Sequence, residues 1–261
     1  MRKTPIFALL CCLLAAPFAH AAKWGDLTVQ FTYDGAVPAP KPVDITKDKA
    51  FCGKTKLVNE SLVVNPKNKG VANVVAYLYL GFDEDPPEVH PSYAKDAGAK
   101  VVIDNDACRF NPRVVLLRTT QTPVAKNSDD VGHNIKVDTL TNPSTNVLLP
   151  ANTELQLDKF EESERLPATI SCSIHPWMTG RLVVKDNPYM AVSDADGKLT
   201  IKNLPAGEWT IQFWHEKSGY VSKVKQGGAA KDWRRGRLKV EITPDGVDLG
   251  KVELPSSLFE D

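Results

Sequence analysis

The chain has 261 residues, in which 32 Lys+Arg balance 32 Asp+Glu, and it carries five cysteines. A formal charge of zero leaves no basic excess to hold nucleic acid or an anionic membrane surface. The length suits one large domain or two small ones.

Arg2 and Lys3 precede an apolar run, Ile6–Phe18, and Ala19-His20-Ala21 puts small residues at the two cleavage-recognition positions. Residues 1–21 therefore read as a secretory signal peptide, which predicts a periplasmic or secreted protein. The run is too short to span a bilayer, no later stretch is longer, and so no membrane span is expected. Cys11 and Cys12 lie inside the apolar run and make a poor lipid-attachment site. Without residues 1–21 the chain has 240 residues, with 30 Lys+Arg against 32 Asp+Glu, a net charge near −2.

Past that segment the signals are almost wholly β. Leu27–Tyr33 alternates apolar and polar residues, Asp34-Gly35 turns, and Pro38-Ala-Pro-Lys-Pro42 breaks the pattern. Ser61–Val64 and Val71–Leu80 are rich in β-branched and aromatic residues. The acidic, proline-broken run Asp83–Pro91 marks a boundary. Lys100–Asp104, Arg113–Arg118, Pro123–Lys126, His133–Val137 and Glu154–Leu157 then follow at the spacing of a β-sandwich. Residues 158–166 read as a helical turn or a charged loop. Pro167–Ser171 and Arg181–Lys185 are strands on either side of a short loop, Cys172-Ser-Ile-His-Pro-Trp-Met178. Beyond it come strands Lys198–Lys202, Glu208–His215, Lys239–Thr243 and Val247–Val252, separated by the turns Asp194–Gly197, Asn203–Gly207 and Pro244–Gly246. The prediction is an all-β protein.

The short loop carries the chemistry. Cys172, His175 and Met178 stand at i, i+3 and i+6, where a turn between two strands can aim a thiolate, an imidazole and a thioether at one point. That soft donor set suits copper, with the thioether as a weak axial ligand, and His133 supplies a second imidazole. A bound metal would strip the Cys172 thiol of its proton. Structural zinc prefers four Cys/His ligands, usually in paired short spacings, and only one Cys-x2-His pair is present. A two-copper site would need a second thiolate in the loop, which Ser173, Ile174, Pro176 and Trp177 do not offer. One type 1 copper ion is the expected cofactor, held by His133, Cys172, His175 and Met178. The competing reading is a buried Cys and Met serving as core hydrophobes beside a chance His.

His133-Asn134 followed by Cys172-x2-His175-x2-Met178 resembles the copper site of the cupredoxins, with a loop length similar to that of amicyanin. The likeness covers about residues 98–186. It implies a Greek-key sandwich and one-electron transfer with a redox protein partner; no Ser/His/Asp triad signature, phosphate loop or His-Glu-x-x-His motif points to catalytic residues. It also implies a cross-link between Asn134 and Ser173 that ties the ligand segments together. Pro176 fixes φ directly after His175 and stiffens the loop. A short loop of this kind is expected to leave one edge of its His near the surface, with Pro176 and Trp177 around it, which makes Trp177 the candidate docking residue. A copper enzyme needs further histidines for a second metal, and past residue 21 only His90 and His215 remain.

Asp194-Ala-Asp-Gly197, Leu204-Pro-Ala-Gly207 and the aromatic strand after them resemble carboxypeptidase-regulatory or transthyretin-like β-sandwiches. Neither end of the chain is long enough for a complete sandwich. The expected organisation is therefore a β-sandwich part over 22–95, a cupredoxin-like copper domain over 96–186, and a second sandwich part over 187–261 that joins 22–82. Tandem domains are the alternative. If Cys172 binds metal, Cys52 and Cys108 form an even remainder in an oxidising compartment, favouring a disulfide over two free thiols. A second function class stays open: a β-sandwich binding or scaffold protein in which copper is structural, transported or absent. Trp214-His215-Glu216 reads as a surface or interdomain contact rather than a site, and Asp232–Arg237 as a mobile basic loop.

Overall fold

The computed structural model describes residues 24–81 and 84–260, so the expected signal peptide lies outside the described residues. The protein is all-β, and its one α-helix among those residues is the single turn Lys49–Cys52. None of the described helices is long and apolar enough to cross a membrane.

Among the described residues, four sheets surround two hydrophobic cores. In the first sheet the opening strand Trp24–Asp34 lies between Lys198–Pro205, to which it is antiparallel, and Val247–Pro255, to which it is parallel. The strands Lys223–Gln226 and Ala229–Asp232 complete this sheet. The second sheet runs Met190–Val192, Val75–Leu78, Gly207–His215 and Gly219–Tyr220, with Arg237–Ile242 also paired to Gly207–His215. Strands from both ends of the chain thus pair directly. Alternation at period two points Leu27, Val29 and Phe31 inward, where they pack with Ala76, Leu199, Ile201, Ile211, Phe213, Val252 and Leu254. Fully burying a side chain of this size is worth about 1.5–3 kcal/mol.

The second core lies between two other sheets. One is Val114–Arg118, Thr179–Lys185, Ala168–Ser171, His133–Asp138 and Thr145–Leu149; the other is Arg109–Asn111, Lys100–Asp106, Thr122–Asn127 and Thr153–Gln156. Ile103, Phe110, Leu117, Ile135, Val137, Leu149, Ile170, Leu182 and Val184 fill the space between them. Ser171 pairs with Thr179 on one side and with Lys136 on the other. That register carries the loop after Ser171 toward the start of the neighbouring strand, where His133 and Asn134 stand.

A small third cluster, Val75, Tyr77, Val114, Val183 and Trp214, joins the two halves. Beside it Glu216 takes a bidentate pair of hydrogen bonds from Arg113, at 2.8 and 2.9 Å, and lies 3.6 Å from Arg181. His215 is buried edge-on to Phe259 of the first core, and burial pushes its imidazole down to about 4, so it is neutral there and no surface contact.

Several local expectations change. The strand expected over Val71–Leu80 is confined to Val75–Leu78, because Asn73 takes a left-handed φ of 64° that interrupts extended backbone. Ser61–Val64 contributes only an isolated bridge from Val64 to Val71. Residues 158–166 are irregular, and Glu164 is buried there, accepting the backbone N–H groups of Leu140, Thr141 and Asn142. The basic run Asp232–Arg237 is not a free loop: Trp233 is 3 % exposed in the first core and its N–H donates to Ser222 O.

Candidate metal centre

The loop 172–178 is folded by its own backbone. Cys172 N–H donates to Met178 O at 3.2 Å, and Met178 N–H donates to His175 O at 2.9 Å. Pro176, which has no N–H to satisfy, sits at the exposed tip of this turn. The turn brings Cys172 and His175 together, and the register of the adjacent strand brings His133 to meet them.

Cys172 Sγ lies 3.8 Å from His175 Nδ1 and 4.0 Å from His133 Nδ1. One ligand atom from each of the three residues lies within 4.8 Å of the others, and the imidazole centroids are 4.5 Å apart. Cys172, His133, His175 and Met178 are all at most 2 % exposed. Both Nδ1 atoms face the sulfur because both Nε2 atoms are engaged elsewhere. His133 Nε2 meets Asp129 Oδ2 at 2.8 Å, and His175 Nε2 meets Asp48 Oδ2 at 2.8 Å. A carboxylate accepting at Nε2 holds a proton there, so Nδ1 is the nitrogen turned inward and offered to a metal.

Asn134 is the hub of the remaining contacts. Its Oδ1 accepts the Ser173 backbone N–H at 2.7 Å and lies 3.3 Å from Cys172 Sγ, while its own N–H points at that sulfur from 3.5 Å. Asn146 Oδ1 in turn accepts from Asn134 Nδ2 at 2.8 Å. The link between the two ligand segments therefore runs through the Ser173 backbone and the Asn134 side chain.

Electrostatics favour an ionised sulfur. Burial pushes the Cys172 thiol up, but hydrogen bonding from His133, the Asn134 and His175 backbone and the His175 ring outweighs it and brings the thiol down to about 6. Burial pushes His133 down, while its bonds to Asp129 and Cys172 raise it to about 9. Asp129 is held below the usual carboxylate range against its own burial, through His133 and the N–H groups of Cys108 and Ala107.

Cys52 and Cys108 form a disulfide next to this centre. Cys108 also belongs to a second close group, with Asp129 and His133, but its sulfur is committed to Cys52 and is no free ligand. Cys108 O accepts the indole N–H of Trp177 at 3.1 Å, and the Trp177 ring stands edge-on to His175 at 5.1 Å. Trp177 is half-buried.

One expectation fails here. The His175 edge does not reach the surface: the ring is 0 % exposed, and the Asp48 carboxylate covers the nitrogen expected to face solvent. Reasoning from the short loop alone missed the segment that lies over it. Asp129 stands four residues before His133 and was legible by proximity, whereas Asp48 is 127 residues from its partner and carries no local signal. His90 and His215 join neither close group; His90 pairs with Ser92 Oγ and packs edge-on to Trp24.

The residues fit a soft metal ion. Two imidazole Nδ1 atoms and a low-pKa thiol converge in a dry pocket, and a buried methionine closes the same loop. The chain matches no protein-family model and no curated protein. Part of it is similar to solved cupredoxin structures. A purple cupredoxin from Nitrosopumilus maritimus is 25% identical over 33% of this chain and 99% of that one, with a TM-score of 0.28. An oxidised amicyanin variant is 18% identical over 42% of this chain and 98% of that one, with a TM-score of 0.30. A copper-containing nitrite reductase from Thermus scotoductus SA-01 is 18% identical over 41% of this chain and 25% of that one, with a TM-score of 0.29. At these scores the likenesses carry no weight of their own, and the site stands on its geometry.

Proposed function

We propose that this protein is an exported, mononuclear type 1 copper protein that passes single electrons to and from a redox protein partner, and is not an enzyme. The observation that carries this reading is the convergence of Cys172 Sγ with the Nδ1 atoms of His133 and His175 in a pocket closed to water. Cys172, His133 and His175 would hold the ion, with Met178 as the weak fourth ligand. Bound copper supplies the one-electron couple. The chain's own part is to hold the donors still: Asn134 ties the two ligand segments, Pro176 stiffens the turn, and Asp129 and Asp48 fix the imidazole tautomers. Electrons are exchanged at the loop face of Pro176 and Trp177, where a small apolar surface suits brief contact.

The copper-holding unit spans 96–186 and is of cupredoxin type. The segments 22–82, apart from residues 41–60, which cross to the copper-holding unit, and 187–261 together make the second sandwich, a reading supported by the pairing of Trp24–Asp34 with Lys198–Pro205 and Val247–Pro255. The disulfide supports a periplasmic or secreted location. The test is addition of Cu(II) to the protein beginning at residue 22. An intense visible thiolate-to-copper band is expected, Cys172→Ala abolishes it, and Met178→Leu keeps it. A colourless protein that takes Zn(II) in preference to copper overturns the proposal.

A further inference from the structure

The segment between the opening strand and residue 60 leaves the first sandwich and crosses to the second core, over the metal-facing loop. Val43, Ile45 and Phe51 pack against that core, and Cys52 and Leu57 are buried within it. The segment folds back on itself: Asn59 N–H donates to Lys41 O at 2.8 Å, Val43 N–H to Leu57 O at 3.1 Å, and Pro42 bridges to Val58.

At its turn stands Asp48, the N-cap of Lys49–Cys52. An aspartate there ordinarily turns its carboxylate onto its own helix. This one makes no such bond. Its backbone is left-handed, φ 44° and ψ 42°, its carbonyl accepts the Phe51 and Cys52 N–H groups, and its carboxylate goes to His175 Nε2. Aspartate is one of the few side chains that accepts this conformation at low cost. The Asp48 side chain is 42% exposed and His175 is 0%, so the carboxylate stands between the imidazole and water.

The same turn is pinned covalently. Cys52 ends it and is bonded to Cys108, whose N–H is held by Asp129 and whose carbonyl holds Trp177. The outer partners of both imidazoles, and the aromatic ring beside His175, therefore meet in one cross-linked unit.

We propose that residues 41–60 form a disulfide-pinned lid over the metal centre, in which Asp48 is a positioning residue that orients His175 and closes its outer edge to solvent, metal chelators and partners. This rests on the copper reading only for its metal-dependent half. The lid is a fixed cover, packed by apolar side chains and a buried disulfide, so exchange with a partner takes place at the loop face and not through the His175 edge.

The test has two arms on protein beginning at residue 22. In the metal-free state, nitrogen-detected NMR reads solvent exchange of the two imidazole Nε2–H groups. In the Cu(I)-loaded state, the rate of copper removal by bicinchoninate is measured. Asp48→Ala is expected to speed exchange at His175 but not at His133, and to speed copper removal about 10-fold or more, the effect of losing a charge-assisted hydrogen bond that holds a local closed state. Asp48→Glu restores both, and Asp48→Asn, which still offers an acceptor, lies between. Cys52→Ala/Cys108→Ala accelerates copper removal with Asp48 intact. A folded Asp48→Ala protein with wild-type exchange at His175 overturns the lid, as does equal acceleration at both histidines. Failure to bind copper overturns the copper reading instead, and the metal-free arm still decides the lid.

Discussion

Replacing Glu216 by alanine strips the carboxylate from the junction between the two cores. Glu216 is 8% exposed at its side chain, Arg113 12% and Arg181 19%, so the group is largely shielded from solvent. The loss is two charge-assisted hydrogen bonds from Arg113, at 2.8 and 2.9 Å, and the nearby Arg181 contact. Breaking a buried pair on one side costs about 3–5 kcal/mol, because the partner charge is left desolvated. Arg113 keeps a second carboxylate, Glu60, at 3.8 Å, and Thr179 Oγ1 at 3.0 Å, which places the expected loss at the low end, about 3 kcal/mol. For a chain of this size that lowers the melting temperature by about 6–12 °C. Urea unfolding followed by tryptophan fluorescence measures the loss. Because the pair is buried, the loss persists in 0.5 M salt, a concentration chosen to screen surface pairs. A loss under about 1 kcal/mol, the scale of an exposed pair, refutes the clamp.

Four further outcomes are expected. Denatured, unreduced protein beginning at residue 22 reacts with one equivalent of thiol reagent, at Cys172, and three reactive thiols would refute the Cys52–Cys108 bridge. Removing that bridge by double alanine substitution destabilises the fold by up to ~4 kcal/mol on the chain-entropy scale, read from urea midpoints; an unchanged midpoint contradicts this. In metal-free protein the thiolate absorbance of Cys172 rises with pH through a midpoint near 6, and His133→Ala moves that midpoint upward because a hydrogen-bond donor to the thiolate is gone; a wild-type midpoint in the ordinary thiol range defeats the electrostatic account. Residues 24–82 alone and 187–261 alone are unfolded by circular dichroism, whereas the two joined by a short linker fold cooperatively; cooperative folding of the C-terminal piece by itself favours tandem domains.

The sequence by itself determined the local chemistry. Cys172 and His175 share one seven-residue loop with Met178, so the approach of the thiol to the imidazole needs only a turn between two strands, and spacing reports it. Alternation over Leu27–Tyr33 and Lys198–Lys202 fixed strand character because each residue's facing depends on its neighbours alone. Cysteine parity was enough to favour the Cys52–Cys108 pair. The tertiary structure decided the contacts that no local pattern or residue count records. Asn73 broke a run whose composition was uniformly strand-forming, since a left-handed residue there serves the packing of Val71 and Val75 into different clusters. Trp233 entered a core from within a basic run. Asp48 reached His175 across 127 residues, through a lid whose path is set by burial of Phe51 and Cys52 and not by any pattern around Asp48 itself. A hydrogen-bond partner of that kind is chosen by where the folded chain passes, and a one-dimensional pattern carries no record of the passing.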